Sequence, residues 1–308
     1  MIEYKVLSRK YRPKKLKEVI GQNFTVRTLT NAFANEKLAH AFLFTGIRGV
    51  GKTTIARIIA MGLNCETENK PIANPCGICS NCKAILQDRY EDVLEIDAAS
   101  NTGVDDVREI ISSLKYRPSK GSYKVFIIDE VHMLSNSAFN ALLKTIEEPP
   151  SFVKFIFCTT EMQKIPITIV SRCQKYNLNR VTLTALCNYL EEIVDLEKLD
   201  ISKQAISVIA RNSEGSIRDS LTILDQCILS FNNENIDVEN VNQTMGLTSQ
   251  SFLLNLYTNM INGDIFNANK VLHNIYKNGA APKQIIDDLL NVTYSLISTY
   301  TTLNFIQS

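Results

Sequence analysis

Ala41-Phe-Leu-Phe-Thr-Gly46-Ile-Arg-Gly-Val-Gly-Lys-Thr53-Thr-Ile-Ala-Arg-Ile-Ile-Ala-Met-Gly-Leu63 is the stretch from which the rest of the chain can be read. Its first five residues are a short apolar run, the pattern of a buried strand. Gly46 to Thr53 then match G-x-x-x-x-G-K-[ST], and Thr53 to Leu63 have helical spacing. Strand, glycine-rich turn and helix is the context in which that motif cradles phosphate. Glycines at 46, 49 and 51 let the backbone curl until several N–H groups point at one anion, and the helix adds the positive end of its dipole. Lys52 reaches β- and γ-phosphates, and the Thr53 hydroxyl ligates Mg²⁺. A chance glycine-rich turn is the competing reading, and the flanking strand and helix count against it.

Three more apolar runs follow the first: Val93–Asp97, Lys124–Asp129 and Lys154–Thr159, with a weaker fifth at Lys175–Leu178. Helical spacing occupies Gln22–Glu36, Val104–Leu114 and Ser135–Glu147. Strands that alternate with helices predict a parallel five-stranded sheet covered on both faces, with ligands at the carboxyl ends of its strands. Beyond about Arg180 only helical spacing remains. It covers Thr182–Lys198, Ser202–Asn212, Ser216–Phe231 and Val238–Met245, then Ser249–Ile261, Ile265–Lys277 and Pro282–Leu303. The expected organisation is an α/β domain over residues 1–180, a small helical domain over 181–246 and a third helical module over 247–308.

The chain has 308 residues, 45% of them hydrophobic, with 33 Lys and Arg against 32 Asp and Glu, a net charge of +1. That balance excludes a globally basic nucleic-acid coat and an acidic solvating tail. It leaves room for local patches: Lys5, Arg9, Lys10, Arg12, Lys14, Lys15 and Lys17 face one acid, Glu3, within 17 residues. That segment is either a solvated arm or a phosphate-facing one. No run of about 18 apolar residues exists to span a membrane. The start, Met1-Ile-Glu-Tyr-Lys-Val, lacks the apolar region of a secretory signal, so a cytoplasmic protein is expected.

Lys124-Val-Phe-Ile-Ile-Asp129-Glu130 is an apolar strand ending in two acids. Unpaired buried carboxylates are costly, so a cation is their natural partner. Asp129 would hold Mg²⁺ and Glu130 would polarise an attacking water; a solvated strand end is the bland alternative. His132 completes Asp-Glu-Val-His, and a hydrogen-bonding role at a helix start suits it better than catalysis. Cys158-Thr-Thr-Glu161 ends another apolar strand. Thr159 or Thr160 would bond the γ-phosphate or the water, although threonine is ordinary in strands. Cys65, Cys76, Cys79 and Cys82 place four thiols within 18 residues. Four thiolates suit tetrahedral Zn²⁺ in a closed, structural site. An iron–sulfur cluster and a redox dithiol compete for the same residues. Against the cluster, the usual fourth Cys-Pro is absent and Lys83 follows instead.

Taken in order, Tyr11-Arg-Pro, Val19-Ile-Gly-Gln22, the phosphate loop, the four cysteines, Asp97-Ala-Ala-Ser100, Asp129-Glu-Val-His132, Leu142-Leu-Lys-Thr-Ile-Glu-Glu-Pro-Pro150, Ser171-Arg-Cys173 and Gly215-Ser-Ile-Arg218 resemble one family closely. It is the gamma/tau family of bacterial DNA polymerase III subunits, the ATPases of the sliding-clamp loader, within the AAA+ superfamily. The resemblance is dense over residues 4–230 and weak beyond about Ser249. It implies an AAA+ ATPase domain with an inserted zinc knuckle, a helical lid and a helical collar. The family's collar runs past Ser308, so the third module is expected to be incomplete. The implied ATP-binding set is Arg12, Pro13, Val19 and Ile20 around adenine, then Gly46, Ile47, Arg48, Gly49, Val50, Gly51, Lys52, Thr53 and Thr54, with Arg218 reaching in from the lid. Thr159 or Thr160 would be the polar sensor, Glu130 and Lys52 would act in hydrolysis, and Arg172 would act in trans at a neighbour's site. ATP, Mg²⁺ and Zn²⁺ are the implied cofactors. The implied partners are other loader subunits and copies of the chain in a pentamer, the sliding clamp and primer–template DNA, with no membrane.

Two other functions compete. A helicase or branch-migration motor also uses a phosphate loop with Asp-Glu-x-His, but a second RecA-like half is missing. A scaffold that binds ATP without hydrolysing it would not need the intact Lys52, Thr53, Asp129 and Glu130.

Overall fold

The computed structural model describes residues 4–68, 70–100, 103, 111–231, 235–246, 250–277 and 281–307. Strands β1 (Ala41–Thr45), β2 (Val93–Asp97), β3 (Lys124–Asp129), β4 (Val153–Thr159) and β5 (Gln174–Asn177) form one sheet in the order β2-β3-β4-β1-β5. Every neighbouring pair is parallel. β1 and β4 are buried along their whole lengths, which is why their sequences are continuous apolar runs rather than alternating ones.

The period of two reappears in the core. Phe42, Phe44, Val125, Ile127, Ile156, Cys158 and Tyr176 face one side of the sheet. Ala41, Leu43, Phe126, Ile128, Phe155 and Phe157 face the other. The first side is covered by α2 (Asn23–Ala34) and α3 (Lys52–Asn64), through Leu29, Phe33, Ile55, Ile58 and Ile59. On the second side lie α5 (Asn136–Glu147), through Phe139, Leu142 and Ile146, and the short α6 (Ile167–Val170). Ser135 caps α5 by accepting from the Ala138 N–H at 3.2 Å.

Two short helices have no counterpart in the sequence reading: α1 (Leu7–Lys10) and α4 (Ser80–Leu86). The second starts inside the cysteine run, whose residues have no apolar period to read. The helix expected at Val104–Leu114 falls mostly on residues 104–110, which lie outside those described; residues 111–113 are helical.

The chain divides into two compact units. One runs to Leu190 and includes Ala210–Thr222; the other holds Glu191–Ile209 and everything from Ile223 on. The helices after the sheet are α7 (Leu183–Glu197), α8 (Lys203–Asn212), α9 (Ile217–Phe231), α10 (Val238–Met245), α11 (Gln250–Ile261), α12 (Ile265–Lys277) and α13 (Pro282–Gln307). In the second unit Leu256, Ile275 and Ile285 form the small core that joins α11, α12 and α13. Among the described residues no helix is long and apolar enough to cross a membrane.

Candidate nucleotide-binding site and cysteine knuckle

All strands run parallel, so their carboxyl ends gather at one edge, where ligands bind in open α/β sheets. Thr45 of β1 and Asp129 of β3 end there, with β4 between them. A cavity of about 580 Å³ opens at this edge, within the first unit. Arg12, Pro13, Val19, Ile20, Arg48, Gly49, Val50, Gly51, Lys52, Thr53, Thr54, Asp129, Glu130 and Arg218 line it. Residues from five separate parts of the sequence thus meet at one void.

Two glycines of the phosphate turn have no room for a side chain. Gly46 has φ +146°, and a Cβ there would fall 2.5 Å from the Leu178 carbonyl oxygen. Gly49 has φ +79°, and a Cβ there would fall 2.0 Å from Ser216 Oγ. The Arg218 N–H donates to the Gly49 carbonyl at 3.3 Å, which brings the start of α9 onto the loop. Gly46 and Ile47 do not line the cavity. Their carbonyls accept from Lys52 Nζ at 2.9 and 3.0 Å, and Lys52 is buried. Burial pulls the Lys52 pKa down, against the opposing pull of the Glu130 carboxylate.

The carboxylate strand meets the loop directly. Thr53 Oγ1 donates to Asp129 Oδ2 at 2.5 Å. The Glu130 N–H donates to Asp129 Oδ1 at 2.9 Å, and Glu130 itself sits in the left-handed region at φ 45°, ψ 44°. Thr160 Oγ1 donates to Glu130 Oε2 at 3.2 Å. Thr159 is fully buried, bonds His132 Nδ1 at 3.0 Å and accepts from the Glu161 N–H at 3.0 Å. The two threonines therefore divide their work: one holds the glutamate, the other the histidine. Neither lines the cavity.

Arg57 and Glu95 also line the cavity, although neither belongs to a motif. Arg57 on α3 forms a two-pronged pair with Glu95 of β2, at 2.6 and 2.8 Å, and reaches Asp88 at 2.9 Å. Burial works against the Arg57 charge, but these acids outweigh it and hold its pKa up. Arg12 donates to Thr54 Oγ1 at 3.2 Å, and its pKa is lowered first by burial, then by Arg57 close by. Tyr11, Tyr189, Ile217 and Leu221 add to the wall, with Ser8, Arg9, Asp97 and Ala99 at the remaining positions. Residues 38 apart on a helix and a strand give no sequence signal; only the register of β2 against α3 brings Glu95 to Arg57.

Arg172 is elsewhere. Its guanidinium donates to the Thr168 carbonyl at 2.6 Å and pairs with Glu147, and it does not line the cavity of its own chain.

The four cysteines converge. The Sγ atoms of Cys65, Cys76, Cys79 and Cys82 lie within 4.8 Å of one another, with Cys76 and Cys82 at 4.0 Å. A tetrahedral Zn–S₄ centre with bonds near 2.3 Å needs S···S separations of about 3.8 Å, so the set fits Zn²⁺ with small adjustments. Backbone N–H groups point at the sulfurs: Ile78 and Cys79 at Cys76, and Cys82 at Cys79. Against the opposing effect of burial, these donors bring the Cys76 thiol down to about 6, whereas burial pushes Cys82 up. Every cysteine here is free of disulfides.

Comparison with known proteins extends the picture. The family model described as DNA polymerase III, delta subunit, matches residues 21–182. The model for the DNA polymerase III clamp loader subunit, ATPase lid domain, matches 185–233, and that for DNA polymerase III subunits gamma and tau domain III matches 236–304. DNA polymerase III subunit tau of Bacillus subtilis is 43% identical over 289 residues, which are 94% of this chain and 51% of that protein. DNA polymerase III subunit gamma of Buchnera aphidicola subsp. Baizongia pistaciae is 43% identical over 266 residues, 86% of this chain and 71% of that one. The chain spans about half the length of the Bacillus relative. Among solved structures, the Thermotoga maritima RuvB Holliday junction branch migration motor superposes with a TM-score of 0.56 at 22% identity, over 81% of this chain and 79% of that one. That likeness is one of fold.

Proposed function

The chain belongs to the gamma/tau family of DNA polymerase III subunits and carries the AAA+ fold, and on that footing we propose that it is an ATPase subunit of the sliding-clamp loader. The observation that carries the proposal is the meeting of the phosphate loop with the carboxylate strand: Thr53 on Asp129 at 2.5 Å, with Glu130 beside them at the cavity wall.

In this reading the residues have separate tasks. Arg12, Pro13, Val19 and Ile20 enclose the adenine. The backbone N–H groups from Gly46 to Thr54 receive the phosphates, and Lys52 exchanges the Gly46 and Ile47 carbonyls for phosphate oxygens, which are stronger acceptors for its charge. Thr53 and Asp129 would hold Mg²⁺, which would supply positive charge beside the phosphate oxygens. Glu130 orients and deprotonates the attacking water. Arg218, joined to Gly49 through its own N–H, reports the state of the loop to the lid. Arg172, outside its own cavity, completes a neighbour's site. Cys65, Cys76, Cys79 and Cys82 hold Zn²⁺ as a structural knuckle, giving order to a segment too small for its own core. The Cys-only, four-filled ligand set leaves no position for catalysis there.

The proposed division is an ATPase domain over 1–180, a lid over 181–246 and a collar over 247–308; the lid model ends at residue 233 and the domain III model starts at 236, ahead of the proposed lid–collar boundary. Ile265, Phe266 and Tyr294 stand exposed on α12 and α13, apolar side chains suited to burial against other loader subunits and copies of the chain in a pentamer. ATP binding would order those subunits to grip the clamp. Primer–template DNA, held by its backbone, would trigger hydrolysis and release of the clamp. The working place is the replisome in the cytoplasm.

ATP turnover by the chain with its loader partners, with and without the clamp and primed DNA, tests this. Stimulation by both together supports loading; ATP-driven strand separation by the chain alone favours a motor of the branch-migration kind instead.

A further inference from the structure

His132 is held from two sides and almost fully buried. Nδ1 meets Thr159 Oγ1 at 3.0 Å and lies 3.5 Å from Glu130 Oε2, while Nε2 lies 3.4 Å from Glu161 Oε1. Its ring is thus wedged between two carboxylates, with Lys164 bound to the outer one at 2.9 Å. The Thr159 oxygen already accepts the Glu161 N–H, so its own proton is free to be given to Nδ1. Glu130 occupies a left-handed backbone conformation that an L-residue adopts only when its surroundings hold it there. Among the described residues, Thr160, one residue after the end of β4, and His132 are the side chains that meet its carboxylate.

We propose that His132 is a positioning residue for Glu130: wedged between Glu130 and Glu161 and bonded to Thr159, it sets where the Glu130 carboxylate lies. The proposal rests on the reading that Glu130 activates the water. The ring's hydrogen placement decides the direction of its effect. With Nε2–H toward Glu161 and Nδ1 accepting from Thr159, Nδ1 has no proton to give Glu130 Oε2, so the ring does not draw the carboxylate in and leaves it turned toward the cavity. With a proton on Nδ1, the carboxylate is drawn in against Thr160 and kept from the cavity. Glu161 on the Nε2 side favours the first arrangement. The contact therefore links the tip of β4 and the Glu161–Lys164 turn to the hydrolytic group, without His132 lining the cavity itself.

The test uses the full chain assembled with its loader partners, and compares the wild type with His132→Ala, His132→Asn, Glu130→Gln and the double variant His132→Ala/Glu130→Gln. The readouts are kcat and the Kd for ATP. His132→Ala is expected to lower kcat at least tenfold while Kd stays within twofold. His132→Asn, whose amide reaches the Nδ1 position, recovers most of the rate. In the Glu130→Gln background, His132→Ala changes the residual rate by less than twofold, because its partner is already gone. Unchanged kcat in His132→Ala, a weakened Kd, no recovery by Asn, or the same further loss on top of Glu130→Gln each overturns the proposal. A wild type that binds ATP without turnover overturns instead the hydrolytic reading on which it rests, and the proposal with it.

Discussion

Replacing Gly49 by alanine probes the phosphate loop and the start of α9 together. The new Cβ would carry φ +79°, a left-handed strain of about 1–2 kcal/mol for an L-residue. It would also lie 2.0 Å from Ser216 Oγ and 3.1 Å from Arg218 Cβ. The Ser216 hydroxyl can escape only by rotating away from the Asp219 N–H, which it now accepts at 3.2 Å. Loss of that cap costs about 1 kcal/mol. With the tight Arg218 contact, the sum is about 2–4 kcal/mol, a fall in Tm of roughly 5–15 °C for a unit of this size. Thermal unfolding of Gly49→Ala, Ser216→Ala and the double variant separates the contributions. In the Ser216→Ala background the hydroxyl and its cap are already gone, so Gly49→Ala should cost about 1 kcal/mol less than in the wild type, with the backbone strain and the Arg218 contact remaining. Equal costs in both backgrounds, or no cost in either, would refute the packing of α9 on the loop.

Three further predictions follow from separate parts of the molecule. Arg172→Ala, mixed with active subunits, should lower hydrolysis at a neighbour's site by an order of 10³-fold and leave its own ATP affinity nearly unchanged; loss of its own binding would place the arginine in cis. Metal analysis of the purified chain should find one zinc per chain, lost with a drop in Tm in Cys76→Ser; iron, or no metal in a folded chain, contradicts the assignment. Asp92 accepts the N–H groups of Ser119, Lys120 and Gly121 at 2.8, 2.9 and 3.0 Å, and although burial pushes its pKa up, these bonds outweigh it and hold the pKa below the usual carboxylate range. A carboxylate depressed in the folded state stabilises above its unfolded pKa near 4, and that stabilisation is lost as pH falls through the folded pKa. Asp92→Asn should therefore cost about 1–3 kcal/mol at pH 7, and the Tm gap to wild type should close below pH 4. A gap that is the same at pH 7 and pH 3 refutes the anion cradle.

What could be read from the sequence was local. Gly46 to Thr53 declared the turn because strand and helix flank it directly, and the acids at 129 and 130 end an apolar run. Cys76, Cys79 and Cys82 declared themselves by spacing. The cavity-lining position of Arg12 and Arg218 came from the resemblance rather than from local pattern. What escaped depends on register and distance along the chain. Glu95 meets Arg57 only because the pleat of β2 turns Glu95, like Val93, to the face of the sheet that α3 covers. Ser216 meets Gly49 across 167 residues. Thr159 and Thr160 cannot be told apart in the sequence, yet the pleat of β4 aims one at His132 and leaves the other for Glu130. The weak fifth strand expected at Lys175–Leu178 begins one residue earlier, at Gln174, because its pairing with Phe42 of β1 sets its start.

The proposed function depends on ATP turnover through Glu130 at the meeting of the loop and the carboxylate strand. The most direct measurement compares ATP binding and hydrolysis by the wild type and Glu130→Gln, each assembled with its loader partners, clamp and primed DNA. Equal binding and a loss of hydrolysis of at least a hundredfold in the variant are expected. Equal hydrolysis in both, or binding without turnover in the wild type, would contradict the proposed function.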